Sequence, residues 1–183
     1  KYPIIGRNEC QWSWGWNISN IGSKVNYANG SEPAFLPTNL RLGTTFTFPL
    51  ADYHNLAISL DANKLLVPAK PRRKDYVSSD MSADEAAEAE ARYEDAKQEW
   101  KDMSPITAIF KSFNDAPGGM KEELREITWS IGAEYNYNQQ FFLRAGYYYE
   151  NELKGGRKYF GVGAGFALNI LRLDASYMMA SQQ

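Results

Sequence analysis

Residues 128–149 decide the fold of this chain and read TWSIGAEYNYNQQFFLRAGYYY. Within them, apolar or aromatic side chains alternate with small, polar or charged ones on either side of a short polar centre at 138–140. The apolar set comprises Trp129, Ile131, Ala133, Tyr135 and Tyr137 before that centre, and Phe141, Leu143, Ala145, Tyr147 and Tyr149 after it. Alternation with a period of two predicts a pair of β-strands. Because the pattern recurs along most of the chain, it is typical of an all-β, antiparallel up-and-down transmembrane β-barrel, apolar toward lipid and polar toward the lumen.

Composition agrees with this fold class. The 183 residues suit one domain, and the net charge of −2 gives no electrostatic footprint for nucleic acid. The mean hydropathy of −0.52 is compatible with a barrel, because the lumen and loops of a barrel are polar. No apolar run reaches the length of about 18 residues that a transmembrane helix needs. The aromatic content of 14% matches the aromatic girdles of barrels at the two membrane interfaces.

Several chemistries are excluded by what the chain lacks. Cys10 is the only cysteine and His54 the only histidine, so the sequence offers no intrachain disulfide and no Cys/His zinc cluster. No credible Ser/His/Asp set exists either, because His54 falls in a short turn. We therefore predict no catalytic residues, no metal and no cofactor. The chain starts at Lys1 without a signal peptide, which indicates a mature chain or, more simply, a fragment.

About seven strands are predicted, and the connections between them alternate in length. The strands cover 11–27, 39–50, 55–67, 128–137, 141–149, 158–168 and 171–179. The connections at 51–54, 138–140 and 169–170 are short, whereas those at 28–37, 69–125 and 151–157 are longer. Barrels alternate in this way, with short periplasmic turns and long extracellular loops. Because the smallest single-chain barrels have about eight strands, we expect further strands outside this chain.

Charged and glycine positions share the predicted lumen face. A three-residue turn at 138–140 would place Glu134 directly opposite Arg144, and we interpret the two as a structural ion pair in preference to a selectivity charge. The same interpretation extends to Arg41, Asp61, Arg172 and Asp174. Glycines at 161, 163 and 165 on that face predict that something packs closely inside the wall.

The excursion 69–125 is too long for an ordinary loop and carries helices of its own. It opens with a basic, proline-containing run from Lys70 to Lys74. A capping box at Ser82–Glu85 then predicts a helix through about Asp102, rich in alanine and glutamate, with only a thin apolar side. Two interpretations of this helix stay open: a solvated helix over the barrel mouth, or an acidic docking surface.

A second, shorter helix is predicted to start at Ser104-Pro105. Its apolar side chains recur at helical spacing, which predicts a stripe buried on the barrel rim or in its mouth. The stripe consists of Ile106, Ile109, Phe110 and Phe113. The segment 114–119 ends this helix, with Gly118-Gly119 as a hinge or turn, and 120–125 forms one more helical turn.

Several strings in this chain resemble one family. They are IFKSFNDAPGG at 109–119, Glu122-Glu123, the strand 129–137, RAGY at 144–147, GRKYF at 156–160 and PTNLRLG at 37–43. Together they resemble the PorV (LptO) family, outer-membrane barrels of the type IX secretion system in Bacteroidetes that are related to the FadL-type transporters. The resemblance implies a barrel of about 14 strands. This chain would be its C-terminal half, with 1–183 inside one barrel domain and 69–125 as an extracellular helical insertion.

The resemblance also implies a non-enzymatic role at the cell outer membrane. PorV-like proteins bind the C-terminal signal domain of secreted cargo at a large translocon barrel and pass it to a cell-surface attachment complex that links it to lipopolysaccharide. We expect partners to contact the basic run and the second helix with its following loop. These residues are Lys70, Arg72, Arg73, Lys74, Ile109, Phe110, Phe113, Asp115, Pro117, Gly118 and Gly119. The alternative is a FadL-like transporter of hydrophobic small molecules, which the charged lumen face disfavours.

Overall fold

The computed structural model describes residues 2–3, 10–26, 32–116 and 118–181. Its described residues form two compact units. The sheet unit falls within 1–18, 40–64 and 124–183, and the loop unit falls within 19–39 and 65–123. The loop unit therefore joins most of the predicted excursion to a segment between the first two long strands.

The sheet unit is an eight-stranded meander in which each strand pairs with its neighbours in the chain. Its strands are β1 (Tyr2–Pro3), β2 (Gln11–Ser19), β3 (Asn39–Ala51), β4 (His54–Leu65), β5 (Thr128–Tyr137), β6 (Phe141–Tyr149), β7 (Lys158–Leu168) and β8 (Leu171–Ala180). The registers of β4 through β8 are antiparallel. Strands β2 to β8 have 9 to 13 residues, enough for the roughly 9–11 that a tilted strand needs to cross a membrane.

The seven predicted strands correspond to β2 through β8, but the first prediction was too long. Strand β2 ends at Ser19, because Asn20 adopts a positive φ of 58° that no extended strand accommodates. Residue 27, the predicted strand end, and residues 28–31 of the predicted loop lie outside the described residues. The total of about 14 strands stays a prediction.

Short and long connections alternate along the meander. Two residues link β3 to β4, three link β5 to β6, and two link β7 to β8. In the second of these turns Asn138 and Gln139 have successive positive φ angles of 50° and 54°. Positive φ at two successive turn residues gives a backbone twist that matches the twist of the flanking strands. The longer connections, 20–38, 66–127 and 150–157, all leave from the opposite ends of the strands.

One face of the sheet is apolar and exposed, with aromatic side chains at the strand ends. Beside the short turns, rings contact one another from β4 across to β7: His54 with Tyr137 at 4.9 Å, Tyr137 with Phe141 at 6.4 Å, and Phe141 with Phe166 at 4.8 Å between centroids. Near the other strand ends, Trp129 lies opposite Tyr149. An exposed apolar band between two aromatic rows is typical of a sheet that faces lipid.

The polar groups around Trp12 on the apolar face form hydrogen bonds with one another. The Trp12 indole Nε1 donates to the Thr44 hydroxyl at 2.6 Å, and Thr44 in turn donates to the Ser13 carbonyl at 3.2 Å. The Trp12 ring also stacks on Phe46, with centroids 6.1 Å apart. An unpaired donor on this face would be costly in lipid, where no water replaces a missing hydrogen bond.

The loop unit is helical. It contains a 3₁₀ turn (Arg73–Asp75), α1 (Ala83–Asp102), α2 (Pro105–Lys111) and the first part of α3 (Met120–Arg125). Helix α1 has the predicted bounds and the predicted capping box: the Ser82 hydroxyl accepts from Glu85 N–H, and the Glu85 carboxylate accepts from Ser82 N–H at 2.9 Å. No helix among the described residues is both long enough and apolar enough to cross a membrane.

The core of the loop unit forms around Trp100 at the end of α1. Trp100 packs edge-on against Phe35, with ring centroids 5.2 Å apart, and Met103 and Ala108 complete the buried cluster. The Lys24 ammonium lies 4.3 Å from the Phe35 ring centre. It donates to the Trp100 and Lys101 carbonyls at 2.8 and 2.6 Å and thereby caps the C-terminal end of α1. Segment 19–39 is therefore part of this unit.

Loss of the capping box is expected to loosen the first turn of α1. Ser82→Ala removes the hydroxyl acceptor and is expected to destabilise that turn by about 0.5–2 kcal/mol. Hydrogen exchange measured by mass spectrometry is expected to accelerate at amides 84–86, whereas Ser82→Asp, which keeps an acceptor, preserves protection. Equal exchange in Ser82→Ala and the wild type would contradict the capping role.

Candidate functional site

An ion-pair network lies on the polar face of the sheet. In the β5–β6 register Glu134 lies opposite Arg144, and Arg144 Nε donates to the Glu134 carboxylate at 2.6 Å. Arg144 Nη1 also reaches Asp174 on β8 at 2.6 Å, and Arg172 pairs with the same aspartate at 2.7 Å. Both guanidinium groups lie over the Phe142 ring, at 5.1 and 4.8 Å from its centre. The alternating charges link β5, β6 and β8, although a place for them in a barrel lumen stays a prediction.

Glycines on β7 make this network possible. Arg144 extends across β7 to Asp174, and a Cβ at Gly165 would collide with the Asp174 carboxylate and lie 3.1 Å from Arg144 Nη1. At Gly165 the predicted close packing is therefore made by side chains of this chain itself, those of Asp174 and Arg144. At Gly161, by contrast, the nearest group to an added Cβ is the Tyr177 carbonyl at 3.9 Å.

An open hollow of about 630 Å³ lies beside the network. Its polar-face lining includes Ser130, Arg144, Gly146, Tyr148, Gly161 and Asp174. Arg144 Nη2 is buried and has no hydrogen-bond partner among the described residues. Charged and polar side chains thus lie beside this hollow, together with apolar lining residues such as Ile131, Val162 and Met178.

The predicted basic run in the loop unit is largely paired with acidic residues of the same unit. Lys70 contacts Glu32 at 2.7 Å, Arg72 contacts Asp75 at 2.8 Å, and Arg73 contacts Glu90 at 2.7 Å. Lys74 is exposed. Exposed ion pairs are weak, so these cations remain exchangeable. The run does not present a block of uncompensated positive charge.

Glu32 connects the basic run to the end of α1. Its two carboxylate oxygens contact Lys70 at 2.7 Å and Lys101 at 2.9 Å. Hydrogen bonds from these two ammonium groups lower the pKa of Glu32 from its ordinary 4.5 to about 2. Glu32 is therefore ionised at neutral pH and holds two segments of the loop unit together.

The prediction of a buried apolar stripe on α2 was wrong. Ile106 is 66% exposed, Phe110 72% and Phe113 46%. Helix α2 instead buries Ala108, and Ser112 directly after the helix is buried as well. The physical reason is the orientation of the helix: its Ala108 side packs into the cluster of Trp100 and Met103, so the side that carries Ile106 and Phe110 stays exposed. Ile109 is half-buried.

The loop after α2 is held by carboxylates. Asp115 Oδ2 accepts from the Ala69 N–H at 2.5 Å. Glu123 accepts from the N–H groups of Asp115 and Ala116, both at 2.8 Å, and Glu122 accepts from Gly118 N–H at 2.7 Å. Gly119 has a φ of +65°, as its place in a turn requires, and Pro117 lies outside the described residues. Glu122 and Glu123 were not predicted as anchors, although acidic residues early in a helix often bind nearby backbone donors.

Two predicted contact residues, Lys70 and Asp115, line one pocket. The pocket has a volume of about 430 Å³ and lies entirely within the loop unit. It is lined by Pro68, Ala69, Lys70, Pro71, Asp75, Tyr76, Ala96, Glu99, Trp100, Met103, Lys111, Asn114 and Asp115. This pocket could not be predicted from the sequence, because its lining comes from three segments that are distant in sequence.

A sequential antiparallel meander, apolar on one face and charged on the other, is the architecture of a β-barrel wall. The family model described as "Type IX secretion system protein PorV" matches residues 5–72. This match confirms the resemblance of the chain to the PorV family. None of the curated proteins matches the chain. That description names a protein of the type IX secretion system, and the match covers 68 of the 183 residues.

A side chain at residue 165 is expected to disrupt the ion-pair network. Gly165→Ala forces the ends of the Asp174 and Arg144 side chains to move and is expected to lower the stability of the fold relative to Gly161→Ala. Gly161→Ala is the matched control: space exists for its methyl group, and it is expected to be neutral or to stabilise by up to about 1 kcal/mol. Urea titration of the full-length protein, followed by tryptophan fluorescence, measures both. Equal midpoints for the two variants would contradict the steric role of Gly165.

The Glu32 ion pairs are expected to give the loop unit a pH-dependent stability. Because the pKa of Glu32 is lowered on folding, its contribution is present above about pH 4.5 and is lost as the pH falls toward about 2. The difference in loop-unit proteolysis between the wild type and Glu32→Gln is therefore expected to be largest at neutral pH. An acid-active protease measures it at low pH. A difference that persists unchanged at pH 2 would contradict this assignment.

Proposed function

We propose that this chain is a non-enzymatic outer-membrane component of the type IX secretion system. It binds the C-terminal signal domain of secreted cargo at the translocon and transfers that cargo to the cell-surface attachment complex. The PorV family match supports the first statement, and the second follows from the resemblance. The apolar outer face of the sheet supports insertion in the outer membrane, with the long connections on the cell surface.

The exposed face of α2 is the observation that carries the binding role. Ile106 and Phe110 are more than half exposed on a helix whose other side is buried in the loop unit. Large apolar side chains that are exposed together commonly mark a protein-interaction surface. Aromatic residues are also enriched among those that contribute most to binding energy. We therefore assign α2 as a contact for cargo or translocon.

The alternative function is a FadL-like transporter of hydrophobic small molecules. The hollow on the polar face offers about 630 Å³, which is large enough for a small ligand. Arg144 and Asp174 are among its lining residues, however, and these charged groups disfavour the passage of a fatty acid beside them. The geometry therefore favours a binding module over a transporter.

Affinity purification tests the proposed function. The full-length, tagged protein is purified from detergent-solubilised outer membranes, and the co-purifying proteins and lipids are identified by mass spectrometry. We expect a very large translocon barrel, or secreted proteins that share one C-terminal domain. Phe110→Ser is expected to reduce their recovery strongly, because an aromatic side chain that becomes buried in an interface contributes on the order of 2 kcal/mol, or about 30-fold in affinity.

Leu153→Ser is the matched control for the α2 variant. Leu153 is 74% exposed, and it lies outside the loop unit in the 3₁₀ turn Glu152–Lys154. Its recovery of partners is expected to equal that of the wild type. Recovery of the protein alone, with fatty acid or another lipid in extractable amounts, would overturn the binding role in favour of the transporter. Equal losses in both variants would contradict a specific role for α2.

A further inference from the structure

Two exposed leucines lie on neighbouring segments at the long-connection end of the sheet unit. Leu124 is 60% exposed and comes two residues before Glu126, and Leu153 is 74% exposed in the 3₁₀ turn after β6. Lys154 Nζ donates to the Glu126 carboxylate at 3.0 Å and thereby ties the two segments together. We call Leu124, Leu153 and the adjoining Arg125 the leucine surface. A single exposed leucine needs no explanation, but two on linked segments form a small apolar patch.

The leucine surface adjoins the aromatic row near the long connections. Arg125 comes three residues before Thr128, the first residue of β5, so their Cα atoms are at most about 11 Å apart. Leu153 comes four residues after Tyr149, the last residue of β6. Trp129 and Tyr149 lie opposite each other in this row, and aromatic rows of barrels mark the membrane interfaces. In a sheet that spans the membrane, the leucine surface therefore lies near the depth of the lipid headgroups.

The uncompensated charge at this end of the sheet is positive. Every carboxylate of segments 124–126 and 150–158 is bound by a lysine or arginine of the sheet unit. The pairs are Glu126 with Lys64 and Lys154, Glu150 with Arg157, and Glu152 with Lys158. Arg125 is half-buried and has no hydrogen bond or ion pair among the described residues. An anion is therefore the complementary ligand, because the carboxylates nearby are already neutralised.

The combination of leucines and an unpaired arginine matches the two parts of an anionic lipid. Leucine side chains enter the acyl region, and the long stem of an arginine lets its guanidinium reach phosphate groups. A free phosphate would leave the leucines in water, and a neutral lipid would leave Arg125 without an anionic partner. Because the leucine surface adjoins the aromatic row, lipid reaches it without the help of another protein.

We propose that the leucine surface binds an anionic membrane lipid, with Arg125 on the headgroup phosphate and Leu124 and Leu153 among the acyl chains. The inference rests on the proposed function in one respect: the sheet must stand in the outer membrane. It adds a lipid contact of defined chemistry at the cell-surface end of the sheet. Leu153 still serves as the control for the α2 variant, because recovery of partners is measured in detergent, where this lipid contact is not required.

The first measurement is the depth of the leucine surface in a bilayer. Leu153→Cys carries a nitroxide in the full-length protein, with its other cysteines replaced by serine, in nanodiscs of phosphatidylcholine and phosphatidylglycerol. Electron paramagnetic resonance compares the access of oxygen, which concentrates in lipid, with that of a water-soluble nickel chelate. We expect oxygen to dominate at residue 153 and the chelate to dominate at Ala91→Cys, an exposed position on α1. Equal access of the chelate at both positions would overturn the proposal.

A third nitroxide position separates this inference from the proposed function. Ile131 is 52% exposed on the apolar face of β5, so a label at Ile131→Cys is expected to lie in lipid. Oxygen access at 131 together with chelate access at 153 would overturn the lipid contact and leave the membrane insertion of the sheet intact. Chelate access at both positions would count against membrane insertion itself, and the lipid contact would fall with it.

The second measurement is the affinity of the full-length protein for its first bound phosphatidylglycerol, by native mass spectrometry. Arg125→Gln is expected to weaken it about fivefold, because one basic side chain near anionic lipid contributes about 1 kcal/mol. Arg125→Lys keeps the charge and is expected to retain most of the affinity. Lys74→Gln is the matched control: it removes an exposed cation outside the leucine surface and is expected to change nothing. Equal affinities of Arg125→Gln and Lys74→Gln would overturn the proposal.

Two further outcomes would assign the leucine surface to another ligand. Inorganic phosphate at the concentration of the lipid is expected not to displace it, since phosphate has no acyl chains for the leucines. Displacement at that ratio would favour free phosphate and overturn the lipid proposal. Reduced recovery of partner proteins by Arg125→Gln, with its lipid affinity unchanged, would favour a protein ligand and overturn it as well.

Discussion

Antiparallel pairing of each strand with the next is the constraint on which the sheet unit depends. It fixes which side chains share a face, and a shift of one residue would move every one of them to the other side. The register places Glu134 opposite Arg144 and Arg144 opposite Gly163, and the gap on β7 then lets Arg144 reach Asp174. An apolar face and a charged face follow from the same pairing. The ion pairs are thus a result of the register and also oppose its slippage.

The loop unit depends on a different interaction, the packing around Trp100. The Trp100 indole lies in the buried cluster of this unit, in the same cluster as Ala108 of α2, and in the lining of the pocket. Lys24 and Glu32 come from the connection between β2 and β3, and they hold the end of α1 through hydrogen bonds and ion pairs. Two connections of the meander therefore share one small core. The side chains proposed to contact partners are then carried on a structured surface instead of on separate loops.

Much of the fold could be predicted from the sequence, because alternation and capping are local signals. The bounds of β5, β6 and α1 follow from period-two runs and from the Ser82–Glu85 box. The candidate site was less predictable. The stripe on α2 has the spacing of a buried face, yet Ala108 is the buried residue, since only tertiary packing decides which side of a short helix meets the core. The pairing of the basic run with Glu32 and Glu90 is likewise a long-range result that local sequence does not encode.

The rigid setting of α2 has a consequence for how a partner would associate with it. The Ser104 hydroxyl accepts from Thr107 N–H at 3.1 Å, Pro105 occupies the first helical position, and Ala108 anchors the middle of the helix. The exposed Ile106 and Phe110 are therefore preorganised: their backbone is already ordered before any encounter. Association then costs mainly the ordering of the partner and of a few side-chain rotamers. A surface of this kind suits repeated capture and release, because the backbone of α2 loses little conformational entropy on binding and regains little on release.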